Sequence, residues 1–190
     1  MAGTDLVVIG AGPGGYVAAI RAAQLGMKVV IAEKDACGGT CLNYGCIPTK
    51  ALYKNAQVMG YMDHSREFGI EIDGYRLDME QVQARKNKIV KTLTGGVEYL
   101  LKSNKVAIEK GCAKIIKAGL VEVTGKDGTV KRLETKRILI ASGSKSSRLP
   151  IEGMDLEGVI TSKEALDMKT VPEEIVIIGG GVIGIEFAGI

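Results

Sequence analysis

Hydrophobic and polar positions follow two periods along this chain, and the switches between them mark its elements. Asp5-Leu6-Val7-Val8-Ile9 is a short apolar run suited to a buried strand, and Lys28 to Ala32 is a second that ends at Glu33. Between them Gly10-Ala11-Gly12-Pro13-Gly14-Gly15 leads into the helix-like stretch Tyr16 to Leu25. After a polar excursion near Asp63 to Asp78, Val82, Ile89, Leu93, Val97 and Leu100 trace one face of a helix predicted over Met79 to Ser103, which Gly95-Gly96 could break. Val106 to Ile116, Leu120 to Thr124 and Thr129 to Leu133 alternate, or turn at Gly119 and Asp127-Gly128, as strands of an antiparallel meander do, and Arg137 to Ala141 adds a closing strand. Leu149 to Pro172 reads as a crossover linker with a short helix, Ser162 to Met168, N-capped by Ser162. Ile175 to Ile178 is again a strand, followed by Gly179-Gly180-Gly181-Val182-Ile183-Gly184 and the start of a helix at Ile185-Glu186-Phe187-Ala188.

Strand, glycine turn, helix, strand and acid in this order carry chemistry. Gly10 and Gly12 permit a tight turn and the close approach of a pyrophosphate, and Gly15 permits close helix–strand packing. The helix that opens after Pro13 and Gly14 offers amides and a favourable dipole to an anion. Glu33 stands about 20 residues on, where a ribose hydroxyl pair would be held. Gly179, Gly181 and Gly184 repeat the spacing, so two dinucleotides are implied. The fold expected is α/β: a Rossmann-like dinucleotide-binding domain with a parallel sheet plus an antiparallel meander, then the start of a second dinucleotide-binding unit. The boundaries expected are 1–148 for the first domain, 149–172 for the crossover linker and 173–190 for the second unit.

The run Gly38-Gly39-Thr40-Cys41-Leu42-Asn43-Tyr44-Gly45-Cys46-Ile47-Pro48-Thr49-Lys50 directly follows the first unit and sets two cysteines beside the nucleotide signature. At about 100° per residue the two would point roughly 140° apart on a regular helix, so a bridge between them needs a distorted turn. Gly45 can supply the backbone freedom and Pro48 can start a helix behind it. A small-ring disulfide of this kind is labile; two buried, reduced thiols are the alternative.

Together these residues resemble the pyridine nucleotide-disulfide oxidoreductases, over Gly10 to Gly15, Glu33, Gly39 to Lys50, Ala141-Ser142-Gly143-Ser144 and Leu149 to Ala188. The resemblance implies FAD at the first glycine motif and NAD or NADP at the second, with Cys41 and Cys46 as a redox-active disulfide. It implies cofactor contacts at Lys34, Gly39, Thr40, Cys41, Gly45, Cys46 and Lys50, at Ala113 over the adenine, and at Ser142 and Gly143 near the ribityl chain. Cys46-Ile47-Pro48-Thr49-Lys50-Ala51-Leu52, Leu149-Pro150-Ile151-Glu152-Gly153 and Val176 to Ala188 favour those members that oxidise protein-bound dihydrolipoamide. In them Cys41 exchanges with the substrate thiol, Cys46 faces the flavin, and Lys50 suits the flavin N5 region. The partners implied are a lipoyl domain of a 2-oxo acid dehydrogenase or glycine cleavage complex and a second copy in a homodimer. Family members are much longer than this chain, which therefore reads as a fragment, inactive in full turnover, without the His-Glu base that the partner subunit contributes. A glutathione or mercuric reductase is the alternative enzyme, and a non-catalytic FAD-binding or chain-association piece the alternative of another class.

Composition narrows the classes. The chain has 190 residues, of which 46% are hydrophobic, and a net charge of +3 without a focused basic patch, which argues against a nucleic-acid partner. Arg85-Lys86-Asn87-Lys88, the densest basic stretch, reads as a solvated helix face. No apolar run approaches the ~20 residues that span a bilayer. The first strand begins at once, with no secretory signal, and thiol chemistry suits a reducing interior, so the expected compartment is the cytoplasm. His64, the single histidine, gets no role; Cys37 and Cys112 read as packed thiols, and no metal site is assigned.

Overall fold

The computed structural model describes residues 3–147 and 149–190; the expected limits of the first domain, Met1 and Arg148, lie outside the described residues. The chain forms two compact units, Met1–Asn43 with Lys91–Lys145 and Tyr44–Val90 with Ser146–Ile190.

The first unit is built on a six-stranded sheet in the order β3-β2-β1-β6-β5-β4. Its strands are β1 (Thr4–Ile9), β2 (Val29–Glu33), β3 (Ala107–Lys110), β4 (Cys112–Lys117), β5 (Leu120–Thr124) and β6 (Val130–Ile140). β1 pairs in parallel with β2 and β6, and β2 with β3, while β6, β5 and β4 form an antiparallel meander. Val7 and Val8 point to opposite faces of β1 and both are fully buried, as a central parallel strand requires. Val7, Ala32, Val121, Val123 and Leu133 form one core cluster that joins the parallel and antiparallel parts. Helix α1 (Pro13–Gln24) links β1 to β2; it begins at Pro13, earlier than the sequence predicts, because proline's fixed φ suits the first helical position.

Several expectations for this sheet change. Val106 to Ile116 is not one meander strand: the chain switches partners at Gly111, whose N–H donates to the Glu33 carbonyl (2.9 Å), so β3 joins the parallel sheet and only β4 the meander. The two strands expected over Thr129 to Leu133 and Arg137 to Ala141 are the single strand β6. Its first half pairs with β5 and its second half with β1, so the polar residues Glu134 to Arg137 mark a change of partner and not a turn. Cys112 is exposed, not packed, because β4 is the last strand of the sheet.

Helices dominate the second unit. After α2 (Gly39–Tyr44), helix α3 (Cys46–Asp63) begins at Cys46 itself and carries Pro48 in its first turn. A 3-10 turn at Ser65–Phe68 follows, and then α4 (Met79–Ser103), which runs unbroken through Gly95-Gly96. The buried stripe of α4 includes Val82, Gln83 and Lys86 in its first half and Val97 and Leu101 in its second, whereas Leu93 and Leu100 of the expected stripe are exposed. Helix α5 (Ser162–Ala165) is shorter than predicted and is capped by Thr161, not Ser162: Thr161 and Glu164 form a capping box. Ile175 to Ile178 is not a strand; no partner strand flanks it among the described residues, and Val176 is 82% exposed. Helix α6 (Val182–Ala188) is the last element of the described residues. Leu52, Val82 and Leu166 form this unit's core cluster, with Phe187 packed against it.

The basic stretch on α4 is not a solvated face throughout. Lys86 is buried and donates to the Leu166 carbonyl (2.8 Å) and to Asp167 Oδ1 (2.5 Å). Gln83 Nε2 donates to the carbonyls of Leu166 (3.2 Å) and Met168 (2.9 Å), and Arg85 donates to the Ala51 carbonyl and to Asn55 Oδ1, each at 2.8 Å. α4 thus holds helix α3 and the end of α5.

Two outcomes check this packing. Leu101→Ala removes a fully buried side chain and costs about 2–5 kcal/mol in denaturant unfolding, whereas Leu100→Ala, at 47% exposure, changes stability by no more than about 0.5 kcal/mol. Lys86→Met removes its hydrogen bonds to the Leu166 carbonyl, which keeps Gln83 as a donor, and to the exposed Asp167, and lowers stability by about 0.5–1.5 kcal/mol in the same assay.

Candidate functional site

The carboxyl ends of β1, β2 and β6 meet at the first glycine turn. The Gly10 N–H donates to the Ala32 carbonyl and the Ala141 N–H to the Ile9 carbonyl, both at 2.8 Å, which ties the three strand ends together. Gly10 turns the chain at φ +100°, and a Cβ there would run into the Ala141 carbonyl oxygen. A Cβ on Gly15 would likewise overlap the Gly10 carbonyl, so the helix sits as close to the strand as backbone allows. Gly12 precedes α1 without a side-chain cap, and the first turn of α1 carries no acid. This is an anion-receptive end at the carboxyl edge of β1, which lies between β2 and β6 in the sheet. Pro13 and Gly14 form the first turn of α1, and Ser142 and Gly143 leave β6 at the same edge.

Glu33 ends β2 and turns back to this loop. Its Oε2 accepts the Ala11 N–H at 2.6 Å and its Oε1 accepts the Asp35 N–H at 2.9 Å. A carboxylate offers about four acceptor sites, so each oxygen keeps one for a hydroxyl pair. Lys34 beside it is exposed, and Ala113 pairs with Val123 across β4 and β5.

The cysteine run begins on the same loop. Gly38 N–H donates to the Ala11 carbonyl (2.8 Å), and a Cβ on Gly39 would lie 2.5 Å from the Gly12 Cα. Asn43 Nδ2 clips the turn by donating to the carbonyls of Cys37 (3.1 Å) and Gly39 (2.9 Å). Thr40 is exposed and Cys41 half-buried on α2. Cys37 is buried next to this turn. Burial first, and the charges of Glu98 and Glu33 after it, push its thiol above the ordinary value, which disfavours a reactive thiolate. Its reading as a packed thiol holds.

In the second unit Gly45 separates α2 from α3, and Cys46 is the first residue of α3, with an exposed thiol. Lys50, one turn on, forms an ion pair with Glu186 of α6. The second glycine turn repeats the first. Gly179 has φ +108°, Gly181 precedes α6 at φ −73° and ψ 170° as Gly12 precedes α1 at φ −73° and ψ −178°, and a Cβ on Gly184 would lie 2.5 Å from the Gly179 carbonyl oxygen.

These residues fit a dinucleotide. The Gly10 cradle leaves no room for a side chain, an uncapped helix start faces it, and a carboxylate with spare acceptor capacity stands beside it. Sequence reasoning missed Asn43, Glu186 and the Ala11 amide. Asn43, in a glycine-rich turn, had a local signal; the Lys50–Glu186 pair joins residues too distant in sequence for any. His64 ends α3, where its Nδ1 lies 2.9 Å from the Gly60 carbonyl.

Comparison with known proteins agrees with this geometry. The chain matches the pyridine nucleotide-disulphide oxidoreductase family over residues 4–190. It is 48% identical to the mitochondrial dihydrolipoyl dehydrogenase of Dictyostelium discoideum, over 98% of this chain and 38% of that protein. It is 46% identical to that of Homo sapiens, over 98% of this chain and 37% of that protein. Of solved structures, the Cu(II) complex of the HOCl-induced flavoprotein disulfide reductase RclA from Escherichia coli is similar with a TM-score of 0.84 at 30% identity, covering 99% of this chain and 40% of that one. The chain thus spans about 38% of the length of the first of these relatives. The cytoplasmic expectation is overturned, since the relatives are mitochondrial proteins; neither cysteine chemistry nor the first residues distinguish the two reducing interiors. No described helix is long and apolar enough to cross a membrane. With two glycine turns of one geometry, a cysteine run seated on the first, and a match along nearly its whole length, the chain belongs to the pyridine nucleotide-disulphide oxidoreductase family.

Proposed function

We propose that this chain is the flavin-binding and thiol-exchange portion of an enzyme that oxidises protein-bound dihydrolipoyl groups. The observation that carries the reading is the seating of the cysteine run on the nucleotide loop, Gly39 against Gly12 and the Gly38 N–H on the Ala11 carbonyl. Sulfur chemistry is thereby fixed to a cofactor loop.

On this reading residues 1–148 act as the FAD domain, 149–172 as the crossover and 173–190 as the opening of the NAD unit. Gly10, Gly12, Pro13, Gly14 and Gly15 receive the FAD pyrophosphate, and Glu33, with Lys34 beside it, holds the ribose diol. Gly39, Thr40, Gly45, Lys50, Ser142 and Gly143 line the flavin half and Ala113 the adenine, while Gly179, Gly181 and Gly184 receive NAD. FAD would supply a two-electron acceptor, and NAD the acceptor after it.

The chain's own residues carry the exchange. A dihydrolipoyl thiolate bonds to Cys41 Sγ as the Cys41–Cys46 bond breaks, and Cys46 leaves as a thiolate at the positive end of α3. The second substrate thiol then displaces Cys41, which releases a cyclic lipoyl disulfide and leaves two electrons on the cysteine pair. Lys50, held by Glu186, keeps a positive charge one turn from Cys46. The proton acceptor lies elsewhere: His64 is tied to the end of α3. The partners on this reading are a lipoyl domain of a 2-oxo acid dehydrogenase or glycine cleavage complex, and a second copy of the full-length protein.

The purified chain is expected to take up FAD, seen as visible flavin absorbance, and to lose two titratable thiols on mild oxidation, whereas Cys46→Ser loses none of its remaining thiols. Glu33→Ala weakens FAD binding about 10- to 100-fold, the equivalent of charge-assisted hydrogen bonds worth about 1.5–3 kcal/mol. A chain that takes up no flavin and keeps every thiol sinks the reading, and turnover of glutathione in place of dihydrolipoamide by a full-length relative carrying this cysteine run moves the substrate class.

A second reading rests on the exposed apolar surface of the second unit, where Val176, Ile178, Val182, Ile183 and Ile185 all face solvent. Such a patch suits association with another chain. Light scattering then gives a mass that rises with concentration, and a constant monomer mass up to high concentration refutes it.

A further inference from the structure

One asparagine holds both ends of a pliable stretch on the nucleotide edge. Gly38 and Gly39 stand side by side at φ +97° and +57°, where glycine meets no steric penalty but loses more conformational freedom on ordering than any other residue. The close fits require glycine: a Cβ on Gly38 would lie 2.7 Å from the Leu42 Cβ, and one on Gly39 2.5 Å from the Gly12 Cα. Half-buried Asn43 donates through Nδ2 to the carbonyls of Cys37 (3.1 Å) and Gly39 (2.9 Å). Peptide units are planar, so these two carbonyls set the plane before Gly38 and the plane after Gly39, and φ and ψ of both glycines lie between them. Backbone bonds hold the stretch less well. The Gly38 N–H reaches the Ala11 carbonyl at 2.8 Å, but the Gly39 N–H to the Ala36 carbonyl and the Leu42 N–H to the Gly38 carbonyl are both long, at 3.4 Å. Asn43 and every residue it holds belong to the first unit.

We propose that Asn43 is a positioning residue for the flavin cofactor, which orders the Gly38-Gly39 backbone against Gly12 before the cofactor arrives. The inference deepens the flavin-binding function above and rests on it. A primary amide suits the task because one nitrogen carries two N–H donors. A carboxylate of the same shape carries none, and alanine leaves both carbonyls without that donor. Without Asn43 the two glycines are free to leave the left-handed region, and the loop that packs on Gly12 is no longer set in advance. Binding then has to order it, and the conformational entropy lost at that moment is subtracted from affinity. Asn43 thus acts through the backbone it holds, and its removal is felt in binding more than in the sheet, whose strand ends are tied by their own bonds from Gly10 to Ala32 and from Ala141 to Ile9.

The test compares the whole 190-residue chain with Asn43→Ala and Asn43→Asp, by residue-level amide hydrogen exchange without flavin and by titration with FAD. In Asn43→Ala the Gly38, Gly39 and Leu42 amides are expected to exchange about ten-fold faster than in the wild type, the size of one or two lost hydrogen bonds, while the Gly10 and Ala141 amides keep their rates. FAD binds Asn43→Ala about 5- to 30-fold more weakly, and with FAD bound the three amides return to wild-type rates, because binding has then done the ordering. Asn43→Asp, which keeps the shape and loses both donors, binds no better than Asn43→Ala. Unchanged exchange at Gly38, Gly39 and Leu42, or wild-type FAD affinity in either variant, overturns the proposal. So does equally faster exchange at Gly10 and Ala141, which would make Asn43 a support of the sheet at large. A wild-type chain that takes up no FAD refutes the flavin-binding function itself, whereas a wild-type chain that binds FAD no better than Asn43→Ala refutes this inference alone.

Discussion

Backbone packed on backbone, with no side chain between, is the constraint on which the first unit depends. Gly10 meets the Ala141 carbonyl, Gly15 meets the Gly10 carbonyl, and Gly39 meets Gly12. Each approach removes the space a Cβ would fill, so the loop, the start of α1, the end of β6 and the start of the cysteine run become one rigid edge. Gly10 also sits at a positive φ, which other residues adopt at a cost of about 1–2 kcal/mol. The exposed amides of such an edge are then matched by Glu33, whose carboxylate is oriented by two backbone N–H groups before any ligand arrives. Preorganisation of this kind lets binding energy act on the ligand and not on ordering the site.

The second unit solves a different problem with longer reach. Its helices are joined by side chains that cross from one to the next: Arg85 from α4 to α3, Lys86 and Gln83 from α4 to the end of α5, Lys50 from α3 to α6. These contacts differ in weight. Lys86 is buried, so its own charge depends on the Leu166 carbonyl and Asp167 for partners, whereas the exposed Lys50 forms a pair of the kind that contributes little to stability. The Lys50–Glu186 pair therefore adds little to the fold.

Much of this was legible in the chain, and the failures have particular causes. The first βαβ unit, the cysteine run and both glycine turns follow from local rules, since apolar runs, glycines and an acid at fixed spacing need no distant partner to be read. The meander was legible in kind but not in connection: Gly111 and the polar stretch Glu134 to Arg137 mark where strands change neighbours, and a one-dimensional pattern does not record neighbours. Lys86 was misread for the same reason, because a lysine inside a basic run is buried only when another element brings carbonyls to it. Ile175 to Ile178 has strand composition yet lacks the flanking strand that would make it one. Thr161 displaced Ser162 as the cap because Glu164 stands three residues after Thr161 and completes a reciprocal pair that Ser162 cannot make.

The cysteines show how environment, more than spacing, assigns chemistry. Cys37 lies four positions before Cys41 and shares its glycine-rich context, but burial and two acidic neighbours raise its thiol and remove it from exchange. Cys112 is exposed on an edge strand, without a glycine turn or helix start beside it. Cys46 alone combines an exposed thiol with the first position of a long helix. Cys41 lies on the preceding helix, whose first residue is pressed against the nucleotide loop. On the thiol-exchange function proposed here, one sulfur must leave and another be held at a fixed place, and the break between α2 and α3 at Gly45 gives the two cysteines of one short run different settings.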